Sequence, residues 1–342
     1  MSRMTWGFAG ALIVTMIFLS RPAVADQCDD LRDPDPRIVA CTQSIKSGKW
    51  KGNNQAINYG NRGKAYEDKG EDDRAIADYN TAISINPKNP TFYNNRGIAY
   101  RHKGNLEQAI ADYSQAINLN PKDHDAYYNR GISYRNKGEL DRAIADYSEA
   151  IRLNAKDPDF FNNRAFAYRQ KNDSERAIAD YGEAIKLAPK NDVFYVRRGR
   201  AHFYGGDPAK ALADMSQATE LDPTDADEAL WLEIVARRNG VPSRLSQAIA
   251  KLDMTAWPAP AVRLFLGQLT PAAVLAAADD PDAAKKQKQL CKAYFYSAEL
   301  SLSKGSKDEA TRLFRQAVSD CSHDVVEWSA ANDELKALGA AR

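Results

Sequence analysis

Four histidines stand at His102, His124, His202 and His323, and no two share the spacing of an H-x-x-x-H pair or a Cys/His cluster. Gly205-Gly206-Asp207 is not followed by the Lys-Ser/Thr of a phosphate-binding loop, and no G-x-S-x-G nucleophile elbow occurs. Carboxylates are plentiful, yet no spacing singles out a pair. An enzyme is therefore the least favoured class, and no catalytic, metal-ligating or cofactor-binding residue is assigned. The chemistry the side chains suit is recognition. Asn61, Asn95, Asn129 and Asn163 recur every 34 residues. An amide offers a donor and an acceptor together, which matches both groups of a peptide unit. Arg101, Arg135 and Arg169 form a second series, and Arg197, Arg200, Phe203 and Tyr204 end it in a cationic and aromatic cluster suited to an acidic peptide or a C-terminal carboxylate. The alternative for the Asn series is a tie between adjacent helices; for the arginines it is simple solvation.

The same period sets the elements that must position these residues. Gly63/Tyr66, Gly97/Tyr100 and Gly131/Tyr134 are 34 apart, and Ala-Ile-Ala-Asp-Tyr recurs from Ala75, Ala109, Ala143 and Ala177. Five units follow, at 56–89, 90–123, 124–157, 158–191 and 192–225. Each reads as a helix ending near position 15 in Gly70, Gly104, Gly138, Asn172 or Gly206, then a second helix closed by Pro87, Pro121, Pro189 or Pro223, with Ala155 replacing the Pro in the third unit. Small residues at positions 8 and 20 let the two helices approach. The aromatic at position 24 (Tyr79, Tyr113, Tyr147, Tyr181; Met215 in the fifth unit) fills the space between units. Fourteen of the 16 Tyr lie in 56–225, so the Tyr excess is repeat core rather than chemistry.

This pattern resembles the tetratricopeptide repeat, which implies an all-α, right-handed superhelical solenoid of helix–turn–helix units with a concave groove lined by the first helices. Where such proteins carry an Asn ladder, as does the glycosyltransferase acting on Ser/Thr of intracellular proteins, the amides hold the backbone of an extended peptide. The two-carboxylate clamp of chaperone-binding repeats wants Lys or Arg at position 2; this chain has Ile57, Thr91, Asp125, Asp159 and Val193 there. Position 7 is always Arg (Arg62, Arg96, Arg130, Arg164, Arg198) and position 23 always Asp (Asp78, Asp112, Asp146, Asp180, Asp214). A hairpin turning near position 15 brings the two level, which predicts five partly buried, bidentate pairs that fix register.

Residues 1–25 read as a cleaved signal peptide: Arg3, an apolar run from Trp6 to Leu19, and Ala23-Val24-Ala25 before a mature start at Asp26. An uncleaved anchor is the alternative; Ala25-Asp26-Gln27 before Cys28 makes no lipobox. Cleavage removes Arg3 and Arg21 and turns a net charge of +1 into −1, leaving no direct membrane anchor. That balance gives no case for nucleic acid, although the groove should be locally basic. Export to the periplasm, or secretion, places the cysteines in an oxidising compartment, where Cys28 with Cys41 and Cys291 with Cys321 can form staples.

Residues 26–55 form a cap with a half-repeat helix in which Ile38, Cys41 and Ile45 share a face. Residues 226–290 hold a degenerate helical pair (226–240, 243–252) and linker helices near 261–267 and 271–278. A sixth unit spans 291–324 and a capping helix lies in 325–342. The segments HFYGGDPAKALADMSQATELDP, DADEALWLEIVARR, and CKAYFYSAELSLSKG with EATRLFRQAV and HDVVEW resemble NlpI-like tetratricopeptide lipoproteins of the bacterial envelope. That resemblance implies an adaptor, often a homodimer, that gathers cell-wall hydrolases and a periplasmic protease. The function expected is a non-catalytic scaffold binding a protein or peptide in its groove. The alternative is a peptidoglycan- or glycan-binding solenoid, which the absence of Trp from 56–225 disfavours.

Overall fold

The computed structural model describes Cys28, residues 32–322 and residues 325–340; the expected signal peptide, the Asp26 start and His323 lie outside the described residues. Among those described there are eighteen helices and no strand. They are α1 (Pro34–Ser47), α2 (Gly52–Asp68), α3 (Asp72–Ile85), α4 (Pro90–His102), α5 (Leu106–Leu119), α6 (His124–Asn136), α7 (Leu140–Leu153), α8 (Pro158–Gln170) and α9 (Ser174–Leu187). There follow α10 (Asp192–Tyr204), α11 (Pro208–Leu221), α12 (Ala226–Arg238), α13 (Leu245–Ala248), α14 (Ala259–Phe265), α15 (Pro271–Ala277), α16 (Ala283–Ser303), α17 (Lys307–Asp320) and α18 (Val326–Ala337). The chain forms two compact units, residues 1–129 and 130–342.

In the first unit α2 pairs with α3 and α4 with α5, and α2 and α3 both meet α4. The second repeat shows how the sequence writes this. Asn89 caps α4 by accepting from Thr91 N at 3.0 Å, with Pro90 at the first turn where no N–H is missed. The helix stops at Gly104, whose φ of 76° is a left-handed corner open to glycine. The chain returns as α5, and the buried Tyr113 ring rests on the bare backbone of Gly97. A Cβ on Gly97 would lie 2.7 Å from that ring, so the smallness expected at position 8 is a contact requirement. Burial pushes the Tyr113 phenol up to about 12.

All five Arg–Asp pairs form, each bidentate, with N–O distances of 2.6–2.9 Å. Two further features were not anticipated. The guanidinium of Arg96 lies between Tyr93 and Tyr100, at 5.7 and 5.9 Å, and Arg62 and Arg164 lie between the equivalent rings. The remaining nitrogen then reaches the previous repeat: Arg96 Nη1 donates to Asn80 Oδ1 at 2.6 Å and Arg164 Nη1 to Ser148 Oγ at 3.0 Å. The Arg96 and Arg164 pairs thus join helices within a repeat and neighbouring repeats to each other.

The half-repeat obeys the same rule with a shift. Helix α2 is 17 residues long against 13 in α4, an added turn that puts Cys41 where the repeats place Tyr. Arg62 Nη1 accordingly donates to Thr42 Oγ1 at 3.2 Å. Ala40, Cys41 and Ser44 are buried, whereas Ile38 and Ile45 are half-buried. Cys41 is joined to Cys28, with 5.0 Å between Cα atoms.

In the second unit the repeat pairs α8/α9 and α10/α11 lead into a larger core built on Leu230, Trp231, Ile234, Phe295, Tyr296 and Phe314. The helix expected at 243–252 is reduced to the four-residue α13, because residues 249–252 turn to bring Leu252 into that core beside Leu245. Helix α16 begins at Ala283, capped by Asp282, eight residues before the sixth unit was expected. The disulfide Cys291–Cys321, 5.3 Å between Cα atoms, closes the α16–α17 hairpin. Ser297 and Leu313, both buried, stand in this hairpin where the repeats hold Arg and Asp.

Candidate functional site

In the first unit Asn61, Asn95 and Asn129 are half-buried on first helices. The Asn129 amide donates to Asn94 Oδ1 at 3.2 Å, and the Asn94 amide to Asn95 Oδ1 at 3.5 Å. Tyr79 meets Glu67 Oε2 at 3.1 Å, and burial together with that carboxylate drives its phenol far up. The Arg101 charge lies near enough to the Tyr113 phenol to pull it down against the effect of burial.

In the second unit Asn163 uses both ends of its amide within the fold. Its nitrogen donates to Asp159 O at 2.9 Å, and its oxygen accepts from Arg135 Nη1 at 2.6 Å. Arg197 donates to Asn162 Oδ1 at 2.7 Å. The Asn129–Asn94 and Arg197–Asn162 bonds follow one rule: position 6 reaches position 5 of the preceding repeat, 35 residues back. This is the tie between adjacent helices that stood as the alternative to a ligand ladder. Phe166, unremarked in the sequence, lies between Arg135 and Arg169, its ring 5.3 and 5.4 Å from the two guanidinium carbons. Its signal was readable, since position 9 shares a helix face with position 12, one turn on.

The cationic and aromatic cluster expected at Arg197, Arg200, Phe203 and Tyr204 is built, but α18 covers most of it. Arg169 donates to Asp333 Oδ2 at 2.8 Å and to Ser329 Oγ at 2.7 Å. Arg200 is buried, with its guanidinium 4.7 Å from the Trp231 ring and Nη2 3.4 Å from Val326 O. The Tyr204 hydroxyl faces Ala330 O at 3.5 Å, and Phe203 packs edge-on to Tyr204 at 5.1 Å. Lys336 donates to Asn172 Oδ1 at 3.0 Å. Ser329, Asp333 and Lys336 fall on one face of α18, and no sequence signal linked that face to residues about 160 positions earlier. The side of α18 turned toward α16 is also charged. Arg238 bonds Glu299 and Glu334 at 2.8 and 2.9 Å, and burial plus the Glu334 charge raise Glu299.

Among the described residues no group of three or more His, Cys, Asp or Glu is arranged to hold a metal ion, and no helix is long and apolar enough to cross a membrane. A cleft of about 300 Å³ lies between α11, α12 and α13, with Leu212, Leu232 and Leu245 in its wall and Glu220, Arg244 and Lys251 around it.

Helix pairs in a 34-residue step, with a small residue under an aromatic in four units and under Met215 in the fifth, define a repeat class. Tetratricopeptide-repeat models match residues 63–101, 99–138, 131–171, 158–191 and 193–225. The chain is a tetratricopeptide-repeat protein. A tetratricopeptide repeat protein from Parabacteroides merdae ATCC 43184 is similar over 92% of this chain and 94% of its own, at 17% identity and a TM-score of 0.50. YrrB, described as a TPR protein with an unusual peptide-binding site, is 21% identical over 56% of this chain and 96% of its own, with a TM-score of 0.47. MamA is 25% identical over 47% of this chain and 94% of its own, with a TM-score of 0.45.

Proposed function

We propose that the protein is a non-catalytic scaffold whose first helices hold a segment of another protein. One observation carries this reading: the arginine-bearing face of α8 and α10 already holds a peptide segment, α18, through Arg169–Asp333 and Arg169–Ser329. The recognition chemistry expected of these side chains is thus exercised within the chain. Arg135, Phe166 and Arg169 extend the same face as alternating guanidinium and ring surfaces, which suit acidic and aromatic side chains. In the first unit Asn61, Asn95, Asn129 and Arg101 are the corresponding contacts.

The expected signal peptide and the two disulfides support export to the periplasm. Partners there are envelope proteins, with cell-wall hydrolases and a periplasmic protease as the first classes to test, and a homodimer as the assembly. The test is affinity capture from envelope extract by the oxidised full chain and by an Asn95→Ala/Asn129→Ala variant, read by quantitative mass spectrometry. The variant should lose most of the proteins that the wild type retains. Equal recovery by both forms refutes the groove reading.

A further inference from the structure

Two guanidinium groups converge on one neutral hydroxyl: Ser329 Oγ lies 2.7 Å from Arg169 Nη2 and 3.5 Å from Arg200 Nη2. Arg169 has its own carboxylate in Asp333. Among the described residues Arg200 has none within bonding distance. It is 5% exposed, its Nε has no acceptor, and its two contacts to α18, at 3.4 and 3.5 Å, sit at the long limit for hydrogen bonds. The charged and titratable groups around it are Arg169, Asp333, Glu327 and Tyr204. A buried guanidinium is ordinarily matched by a carboxylate. Helix α18 therefore complements this site incompletely: it satisfies one arginine and leaves the other facing a hydroxyl and a carbonyl.

We infer that the face of α8 and α10 bearing Arg169 and Arg200 is a receptor site for a partner's amphipathic helix with carboxylates on consecutive turns, and that α18 is a cis placeholder closing it. The seated segment is helical and not extended, so the partner is a helix. Ala330, Ala331 and Leu335 of α18 are buried in the core, so the partner presents two small residues and a leucine in the same register. The acidic position at the place of Ser329 is what the partner has and α18 lacks. This deepens the groove reading proposed above and rests on it.

A fluorescein-labelled peptide of residues 325–338 carrying Ser329→Asp is titrated by anisotropy into the oxidised full chain and into its Asp333→Ala variant, whose own α18 keeps the Ser329 bond to Arg169 but has lost the carboxylate bond. The variant should bind at least tenfold more tightly than the wild type, and the unsubstituted peptide several-fold more weakly than the Ser329→Asp peptide. Adding Arg200→Met should erase the preference between the two peptides. In a separate measurement that needs no peptide, Ser329→Asp in the full chain should raise Tm by several degrees. Equal binding by wild type and Asp333→Ala, no preference for the acidic peptide, or a Tm at or below wild type for Ser329→Asp each overturns the inference. If the peptide fails while the Asn95- and Asn129-dependent capture persists, the placeholder falls and the groove reading stands; if the capture fails too, both fall.

Discussion

In the second repeat Arg96 meets one carboxylate, Asp112, through two bonds of 2.7 and 2.6 Å, with side chains 18% and 9% exposed. Around α16 and α18 a single arginine, Arg238, serves two carboxylates that are each 1% exposed, and one oxygen of each glutamate has no partner among the described residues. The apolar surroundings differ in the same sense. The cluster around Tyr79 contains four buried residues, whereas that around Phe295 contains thirty. In the repeats the charges balance and keep contact with water, so the pairs set register at little cost in desolvation. In the C-terminal region the apolar core supplies the stability and carries an unbalanced buried cluster. The difference teaches that one residue pairing, Arg with a carboxylate, serves as a spacer where cores are small and as a buried anchor for α18 where the core is large.

The largest test of this contrast is Arg238→Ala. It leaves Glu299 and Glu334 facing each other in the core and should cost about 3–5 kcal/mol, read as a drop in Tm. Arg96→Ala strands only Asp112 near the surface of its repeat. Its expected cost is roughly 2 kcal/mol in chemical denaturation. Equal losses from the two substitutions would break the distinction between spacer and anchor.

A third test uses pH. Glu228 is buried beside Asp192, Asp225 and Asp222, and burial followed by these acids raises it from 4.5 to about 9. The folded protein thus holds a proton that the unfolded chain releases near 4.5, so this contribution is full below that value and is lost as pH rises toward 9. Glu228→Gln removes the penalty and should raise Tm by a few degrees at pH 8, with the gap closing at pH 4. A constant gap across that range would mean that the carboxyl is ionised throughout.

The smallest effect concerns the third bond of the repeat arginines. Arg198 lacks the counterpart of Arg164–Ser148 because position 25 of the preceding repeat is Gly182, where a Cβ would stand 3.7 Å from Arg198 Nη1. Gly182→Ala should gain about 0.5–1 kcal/mol from helix propensity. Gly182→Ser should match or slightly exceed it, because a bond to Arg198 offsets the lower propensity of Ser. A serine variant less stable than wild type would remove the tie between repeats from the description.

How far the sequence could be read follows from how local each contact is. Gly97 under Tyr113 and Arg96 with Asp112 lie 16 residues apart across one turn, so a repeating pattern exposes both. The bond from Arg96 to Asn80 is equally near but was overlooked, because position 25 varies among Asn, Ser and Gly while its role does not. The Asn series was visible as a series, yet its partners were not: Asn163 is held by Arg135 and by its own helix. The seating of α18 depends on a fold-back of about 160 residues, for which periodicity carries no information. Arg200 was therefore expected to be open to a ligand, and α18 buries it.

Asn172 gathers these two ranges at one residue. It stands where four other repeats have glycine and keeps their left-handed turn at φ 60°, a conformation that asparagine tolerates better than other side-chain-bearing residues. It is also the turn that Lys336 reaches. Restoring glycine there would bring the repeat closer to its siblings and ease the corner, yet it would delete the acceptor that receives the last turn of α18. An engineer who regularised this chain toward its own average would improve one turn and loosen the lid on the site. The irregular letter in the repeat is the address at which a distant helix docks.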